Sequence, residues 1–205
     1  MRRNCIRNRC REMPCPAAMA IGLSAVLAST LFSGSAAIAQ DEKGAPAAAV
    51  AAKPDDVKSM DAILAAIYDT ISGPAGGRDW DRLRSLFCAD ARLIPCVRVV
   101  QDQEKTKTRA RVLTVEEFIK LVEPNVKARG FFEREIARRV ERFGAVAHVF
   151  STYESRHAAN DPQPFVRGIN SIQLFFDGTR WWAITIFWDV ERADRSIPQE
   201  YLPKK

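Results

Sequence analysis

Few residues of this chain have the types and spacing that metal or nucleophilic chemistry requires. His148 and His157 are its two histidines, and neither has a partner at the spacing of paired metal ligands, as in HExxH or CxxC. No serine, histidine and acid fall into a nucleophilic triad, and no glycine-rich loop could cradle a phosphate. The sequence therefore predicts neither a metal site nor a cofactor.

His148 is a candidate for acid–base chemistry because an imidazole titrates near neutral pH. It lies in AVAHVFSTYESR, which has the alternation of a β-strand. If the residues of the other phase point inward, His148 points outward and is a surface or interface histidine. Those other residues are Ala147, Val149, Ser151 and Tyr153.

The stretch richest in aromatic residues is RGINSIQLFFDGTRWWAITIFWD, from Arg167 to Asp189. Its Asp-Gly pair predicts the turn of a β-hairpin. With a three-residue loop, Phe176 pairs with Arg180, and Gln173 stays off the apolar face, where a buried unpaired amide costs about 1–3 kcal/mol. The predicted inner face then consists of Ile172, Leu174, Trp182, Ile184, Ile186 and Trp188.

The other face of this hairpin is more apolar than a solvated sheet face should be. It carries Phe175, Trp181 and Phe187 beside small and polar residues. Contiguous exposed apolar surface indicates an interface, and copies of one chain commonly pack face to face about a twofold axis. Either the C-terminal tail or another subunit is expected to cover this face, and we favour a homodimer that packs sheet to sheet.

The helices that must position these residues follow from periodicity and capping signals. Apolar residues at spacings of three and four from Met60 to Ile71 predict a long first helix, which begins near Asp55 and stops at Gly73-Pro74. A short second helix begins near Asp79. A capping box at Thr114-Val115-Glu116-Glu117 opens a third helix, which Pro124 ends or kinks.

The remaining segments are predicted to be strands and loops. ARLIPCVRVV is predicted to be a strand, and Pro95 within it suits a sheet edge or a bulge. QDQEKTKTRAR, residues 101–111, is predicted to be a charged loop. Four strands follow, separated by Gly144, the loop HAANDPQPF and the Asp177-Gly178 turn. Helices first and an antiparallel meander afterwards define an α+β fold, with helices packed on one face of a curved sheet.

The N-terminal residues are predicted to form a targeting segment. MRRNCIRNRCREMPCP is a basic leader, and the uncharged run after it ends in Ala37-Ile38-Ala39, a signal-peptidase pattern. We expect cleavage after Ala39 and export, periplasmic or secreted; an uncleaved anchor is the alternative. The predicted organisation is a signal peptide over 1–39, an Ala/Pro-rich linker over 40–54, a domain over 55–195 and a C-terminal extension over 196–205.

The charge of the chain is concentrated in this leader. The formal net charge is +6, of which five arginines and one glutamate in residues 1–39 supply +4, so that +2 remains for the other residues. A nearly neutral surface with interspersed charges offers no stripe that could follow a phosphate backbone. Nucleic acid is therefore excluded as a partner. After the leader no second apolar run is long enough to predict a membrane span.

Cys88 and Cys96 are the two cysteines that remain after the leader. An even number of cysteines in an oxidising compartment allows a disulfide between them. Five extended residues in the segment that separates them, however, cover about 17 Å, which is beyond the reach of a disulfide. Two small apolar side chains are the alternative.

Three stretches carry a resemblance to a known superfamily. They are Asp79-Trp80 through Leu86-Phe87-Cys88-Ala89-Asp90-Ala91, Ala147 through Tyr153-Glu154, and Gly168 through Trp182-Ala183-Ile184. With the order of elements, they make residues 55–194 resemble the nuclear transport factor 2-like superfamily, and within it the SnoaL-like proteins. The resemblance implies a cone-shaped curved antiparallel sheet (nuclear transport factor 2-like or cystatin-like) around a long N-terminal helix, with a cavity at the open end.

The resemblance implies a fold but no single function, since isomerases, dehydratases, cyclases and binding modules share it. Its ketosteroid isomerase pattern pairs a tyrosine on the first helix, for which Tyr68 is the candidate, with a carboxylate base on the first strand. Here Pro95 occupies the position of the base, and Asp90 is expected to be a turn residue. Tyr68 would then be the proton donor, and Tyr153 or Asp189 could assist it.

An aromatic wall with few polar groups suits a small apolar or aromatic ligand. Trp80 and Trp182 are expected in the core, and Trp188 near the mouth of the cone. The residues predicted to contact a ligand are Tyr68, Tyr153, Asn170, Trp188 and Phe118.

Three functions agree with these predictions. The first is an exported domain that binds a small apolar molecule without a complete catalytic set. The second is a lyase or isomerase with Tyr68 as proton donor, and the third is a homodimerisation or interaction module. A cavity open at Tyr68 and Asn170 favours binding or chemistry, whereas a cavity filled by Trp188 and Phe118 favours association.

Overall fold

The computed structural model describes residues 50–102 and 105–204 of the 205-residue chain. The predicted signal peptide and most of the predicted linker lie outside these residues. Four helices are α1 (Pro54–Val57), α2 (Met60–Ile71), α3 (Trp80–Ser85) and α4 (Val115–Ala128). No helix in the described ranges is long and apolar enough to cross a bilayer.

Helix α2 buries the apolar face that the sequence predicts. Its N-cap is Ser59, which accepts a hydrogen bond from the Ala62 amide at 3.1 Å, so the helix begins later than the predicted start near Asp55. Ile63 and Leu64 are fully buried in the core that α2 shares with the sheet. Burial of each such side chain stabilises the fold by about 1.5–3 kcal/mol, which holds α2 against the sheet.

The predicted capping box opens α4. The Thr114 hydroxyl accepts a hydrogen bond from the Glu117 amide at 3.2 Å, and the Glu117 carboxylate accepts one from the Thr114 amide at 2.8 Å. Pro124 does not end α4, because the helix continues for one more turn to Ala128. Pro124 and Lys120 are both exposed, so water can satisfy the carbonyl that loses its amide partner.

Six strands form one curved sheet in the order β2-β1-β6-β5-β4-β3. The strands are β1 (Phe87–Asp102), β2 (Lys105–Ala110), β3 (Phe132–Phe143), β4 (Val146–Arg156), β5 (Val166–Phe176) and β6 (Trp181–Val190). Only β1 and β6 pair in parallel, so the sheet is mixed rather than antiparallel throughout. The predicted α+β fold, with helices on one face of a curved sheet, is confirmed.

The predicted charged loop over residues 101–111 is wrong. Most of it is β2, which turns back and pairs with the end of β1. Thr106 and Thr108 lie opposite Val100 and Arg98, and β-branched side chains favour such a pleated surface. Because β2 is the edge of the sheet, its charged residues stay in solvent, which also discourages pairing with other chains.

The last hairpin has a different register from the predicted one. Phe176 pairs with Trp181 instead of Arg180, so the loop has four residues. Ile184 has no partner and forms a β-bulge. As a result Asn170 pairs with Trp188, whereas the register predicted from Phe176 and Arg180 would place it opposite Ile186.

The bulge at Ile184 reverses which side chains of β6 face the core. The buried residues before the bulge are odd-numbered, Trp181 and Ala183, whereas the buried residue after it is even-numbered, Ile186. The predicted inner positions of Trp182 and Ile184 are therefore wrong. Trp182 lies outside, where the Arg180 guanidinium carbon is 3.6 Å from its ring centre.

The chain itself covers part of the outer face of the sheet. The C-terminal 3₁₀ helix Gln199–Tyr201 packs on β4, where the Thr152 hydroxyl donates to the Tyr201 carbonyl at 2.6 Å. Ile184 and Phe187 of β6 stay 39% and 40% exposed. The homodimer therefore stays a prediction, for which the exposed residues of β6 provide a surface.

Candidate functional site

A cavity of about 240 Å³ lies between the helices and the inner face of the sheet. Its lining is apolar and aromatic except for five polar residues. These are Tyr68, Asn125, Glu133, Tyr153 and Asn170. No lysine, arginine or histidine is among the described residues that line it.

All five residues predicted to contact a ligand line this cavity. They are Tyr68, Tyr153, Asn170, Trp188 and Phe118. Phe118 of α4 and Trp188 of β6 meet edge to face, with ring centres 6.1 Å apart. They form part of the wall and leave the cavity open.

Strand register brings the polar residues together. Ser151, Asn170 and Trp188 are direct neighbours across β4, β5 and β6. Because residues opposite one another on adjacent strands share a face, all three lie on the face that α2 covers. Tyr68 of α2 meets this row: its hydroxyl oxygen is 2.6 Å from Ser151 Oγ and 3.0 Å from Asn170 Nδ2.

The direction of the hydrogen bonds at Tyr68 follows from its neighbours. Ser151 donates to the Glu135 carboxylate, which can only accept. Ser151 therefore accepts a hydrogen bond from the Tyr68 hydroxyl, while the Tyr68 oxygen accepts one from the Asn170 amide. The Tyr68 proton points away from the cavity, so Tyr68 orients Asn170 and does not donate to a ligand.

Glu133 of β3 is an acid at the cavity that the sequence analysis missed. As a residue it is half-buried, because β3 is an edge strand, but its side chain reaches the cavity. Ser155 Oγ donates to its Oε2 at 2.8 Å. Burial raises the pKa of Glu133 to about 7, and hydrogen bonds from Ser155 and Asn170 oppose this rise only in part.

The two phenols beside Glu133 stay protonated at neutral pH. Burial raises the pKa of Tyr68 and of Tyr153 well above the usual range, and the nearby charge of Glu133 raises both further. Glu133 is therefore the group of this cluster that changes charge near neutral pH. A carboxyl of this kind in an apolar cavity can act as a base, an acid or a counterion.

A β-bulge at Ile136 explains why Glu133 faces inward. Tyr153 pairs with Glu135, whereas the residue before Tyr153 pairs with Ala137, so Ile136 has no partner. Without this bulge, regular pairing would turn the Glu133 and Glu135 side chains to the outer face. The available sequence signal was that Glu133 and Glu135 follow Phe131 at intervals of two residues and so share its face of the strand. The same spacing fits a solvent-exposed face equally well.

Tyr153 reaches the cavity across Gly168. The two residues pair directly, and a Cβ on Gly168 would lie 2.6 Å from the Tyr153 hydroxyl oxygen. Only glycine leaves room for the phenol at this position. Within the described residues the Tyr153 hydroxyl makes no hydrogen bond, so it can bond to a ligand.

The other two candidate residues lie away from the cavity. His148 is on the outer face, 3.0 Å from Ser171 Oγ, as the predicted phase of β4 implies. Asp189 bonds to Arg192 at 2.7 Å. Partial burial favours a higher pKa for Asp189, but hydrogen bonds from Arg192 and the Val190 amide outweigh it and hold the pKa below its usual range. Neither residue is placed to assist Tyr68.

Cys88 and Cys96 are free thiols, not a disulfide. Both lie on β1, and an extended strand separates them by about 26 Å, far beyond disulfide reach. Burial raises the pKa of both thiols, which makes them poor nucleophiles. Residues 50–102 and 105–204 also hold no cluster of three potential metal ligands.

Fold and cavity together define an α+β domain in which a curved sheet and three helices surround a largely apolar cavity. Several solved structures are similar in fold but share little sequence. A protein of unknown function with a cystatin-like fold, from Nostoc punctiforme, has 10% identity and a TM-score of 0.47, over 64% of this chain and 87% of its own.

Two further similar structures are NTF2-like proteins of unknown function. The one from Methylobacillus flagellatus has 15% identity and a TM-score of 0.41, over 65% of this chain and 95% of its own. The one from Silicibacter pomeroyi has 12% identity and a TM-score of 0.40, over 65% of this chain and 94% of its own. No protein-family model and no curated protein matches the chain.

Proposed function

We propose that this domain binds a small, mostly apolar molecule that carries one polar group. The observation that supports this most directly is the open cavity, whose apolar walls meet a polar cluster of Glu133, Tyr153 and Asn170. Apolar walls provide affinity because apolar surface leaves water on binding. The few polar groups fix the orientation of the ligand.

The size of the cavity limits the ligand. An apolar cavity of about 150 Å³ accommodates benzene, so a volume of about 240 Å³ suits one ring with a short polar substituent. Sites for drug-sized ligands are larger, roughly 300–1,000 Å³. The proposal therefore concerns single-ring compounds of the size of benzyl alcohol.

Filling the cavity tests this proposal. Val122 of α4 lines the cavity, and Val122→Phe should weaken the binding of benzyl alcohol by about tenfold or more, because the added ring takes up ligand space. Isothermal titration calorimetry measures the affinity. Leu121→Phe is the matched control, since Leu121 is the preceding residue, is 40% exposed and does not line the cavity. Equal affinity in both variants, or no binding by the unaltered protein, would contradict the proposal.

A second candidate function is proton transfer on a small organic substrate. The observation that favours it is Glu133, whose pKa of about 7 suits a general base that acts at neutral pH. The proton donor would then be Tyr153, because the Tyr68 hydroxyl already donates its hydrogen bond to Ser151. This assignment replaces the lyase or isomerase scheme in which Tyr68 donates the proton.

The probe 5-nitrobenzisoxazole tests this second candidate. A base removes the C–H proton of its isoxazole ring while the N–O bond breaks, and a coloured phenolate forms. Its turnover should rise with pH through about 7, as Glu133 becomes ionised. Glu133→Gln should lower the rate by roughly 100-fold or more. A rate that does not respond to this substitution would exclude Glu133 as the base.

A further inference from the structure

We propose that the ligand of this cavity is a small apolar organic cation, a single-ring amine whose ammonium group pairs with the Glu133 carboxylate. This inference rests on the proposed binding function and narrows the class of ligand. It comes from three features of the cavity: an acid without a cationic partner, aromatic walls, and a free phenol beside the acid.

Glu133 lacks the cationic partner that enclosed carboxylates usually have. Its hydrogen bonds come from neutral groups, Ser155 and Asn170. The arginines on the same strand are held elsewhere, since Arg134 bonds to Glu154 at 2.6 Å and Arg138 bonds to Asp61 and Glu135. No described lysine, arginine or histidine forms an ion pair with Glu133 or lines the apolar cavity. Arg134 and Arg156 border a separate surface groove beside Glu133, but both pair with Glu154.

An enclosed charge without a partner is costly, so such a carboxyl either keeps its proton or acquires a counterion. A ligand ammonium group would supply this counterion. A neutral ligand would not, and a carboxylate ligand would add a second negative charge beside the first. The charge of the site therefore selects cations over neutral molecules and neutral molecules over anions.

The walls of the cavity favour the same choice. Trp80, Phe118, Phe131 and Trp188 line it, and the negative face of an aromatic ring attracts an organic cation. The Tyr153 oxygen offers a hydrogen-bond acceptor next to Glu133. An ammonium group between Glu133 and Tyr153 would therefore have an ionic partner, a neutral acceptor and aromatic neighbours.

The protonation of Glu133 makes this binding depend on pH. The groups around its carboxyl are Tyr68 of α2, Tyr153 and Ser155 of β4, and Asn170 of β5, with Glu135 on its own strand. Of the groups at the cavity, Glu133 titrates near neutral pH, whereas both phenols stay protonated. Amine binding should therefore strengthen as the pH rises from about 6 to 8, because a proton leaves Glu133 and the ammonium replaces it.

Matched probes test the inference by isothermal titration calorimetry. Benzylamine, benzyl alcohol and benzoate have one ring each and differ in charge. At pH 8, benzylamine should bind at least about tenfold more tightly than benzyl alcohol, which corresponds to a fall of one unit in the pKa of Glu133, and benzoate should bind most weakly. Glu133→Gln should abolish the preference for benzylamine. Glu116→Gln, which removes the same charge outside the cavity, should preserve it.

The unaltered protein provides a second measurement that does not depend on a variant. At pH 7, benzylamine binding should release close to half a proton, seen as different binding heats in phosphate and Tris buffers. Benzyl alcohol binding as tightly as benzylamine, or amine binding without proton release, would overturn the inference and leave the proposed binding function in place. Binding of none of the three probes would overturn both.

Discussion

Glu133→Gln should stabilise the protein at pH 8 by about 3 kcal/mol and have little effect at pH 4. Burial raises the pKa of this carboxyl from 4.5 to about 7 in the folded state. Between these values the folded protein binds more protons than the unfolded chain, so stability falls as the pH rises through this window. A difference of this size in pKa corresponds to about 3 kcal/mol. Urea denaturation of both proteins from pH 4 to 8 measures the effect.

The control for this prediction is a glutamate whose pKa changes in the opposite direction. The hydrogen bond from Arg84 holds the pKa of Glu116 below its usual value, so Glu116 is ionised in both folded and unfolded protein above about pH 6. Glu116→Gln should therefore leave the slope of stability between pH 6 and 8 unchanged. If Glu133→Gln also leaves that slope unchanged, the carboxyl is not enclosed as the structure indicates.

Gly168→Ala should destabilise the protein by about 3 kcal/mol and displace the Tyr153 ring from the cavity. The added Cβ would lie 2.5 Å from the Asp189 carbonyl oxygen and 2.6 Å from the Tyr153 hydroxyl oxygen. Overpacking of this kind forces backbone and side chains to move, which costs about 1–3 kcal/mol or more. Thermal unfolding reports the loss of stability, and the affinity for benzyl alcohol reports the displaced phenol.

Gly77→Ala provides the matched control for this substitution. Nothing lies within 4 Å of a Cβ at Gly77, so the added methyl group meets no neighbour and stability should change by less than about 1 kcal/mol. Equal stabilities of the two alanine variants would show that β5 can move away from Asp189 and Tyr153 without cost. In that case Gly168 would not be the residue that sets the position of the phenol.

Local patterns in the sequence predicted the elements that depend on neighbouring residues. The capping box at Thr114 forms, because its two hydrogen bonds join residues three positions apart. The inward phase of β4 is also as predicted, since Ala147 and Val149 are buried between exposed or half-buried neighbours and Tyr153 lines the cavity. The same alternation put His148 outside. Each of these features follows from a period of two or from a short helical spacing.

The sequence also predicted which uncharged residues gather at the cavity. Tyr68 lies on the predicted face of α2, and Asn170 and Trp188 lie on inward positions of the last hairpin. Their partners were not predictable. Tyr68 donates to Ser151, and Ser151 donates to Glu135, only because α2 packs across β3 and β4. Contacts between such distant residues depend on the complete fold.

Two β-bulges mark the boundary between what the sequence determined and what the tertiary structure decided. The sequence determined the α+β class and five of the six described strands, since periodicity and turn residues act over a few positions. The bulges at Ile136 and Ile184 each insert one unpaired residue, and one such residue reverses the phase of everything beyond it. They turn Glu133 toward the cavity and Trp182 toward solvent. A bulge depends on how a strand bends against its neighbours and the helix it covers, so the acid of the cavity became visible only in the folded sheet.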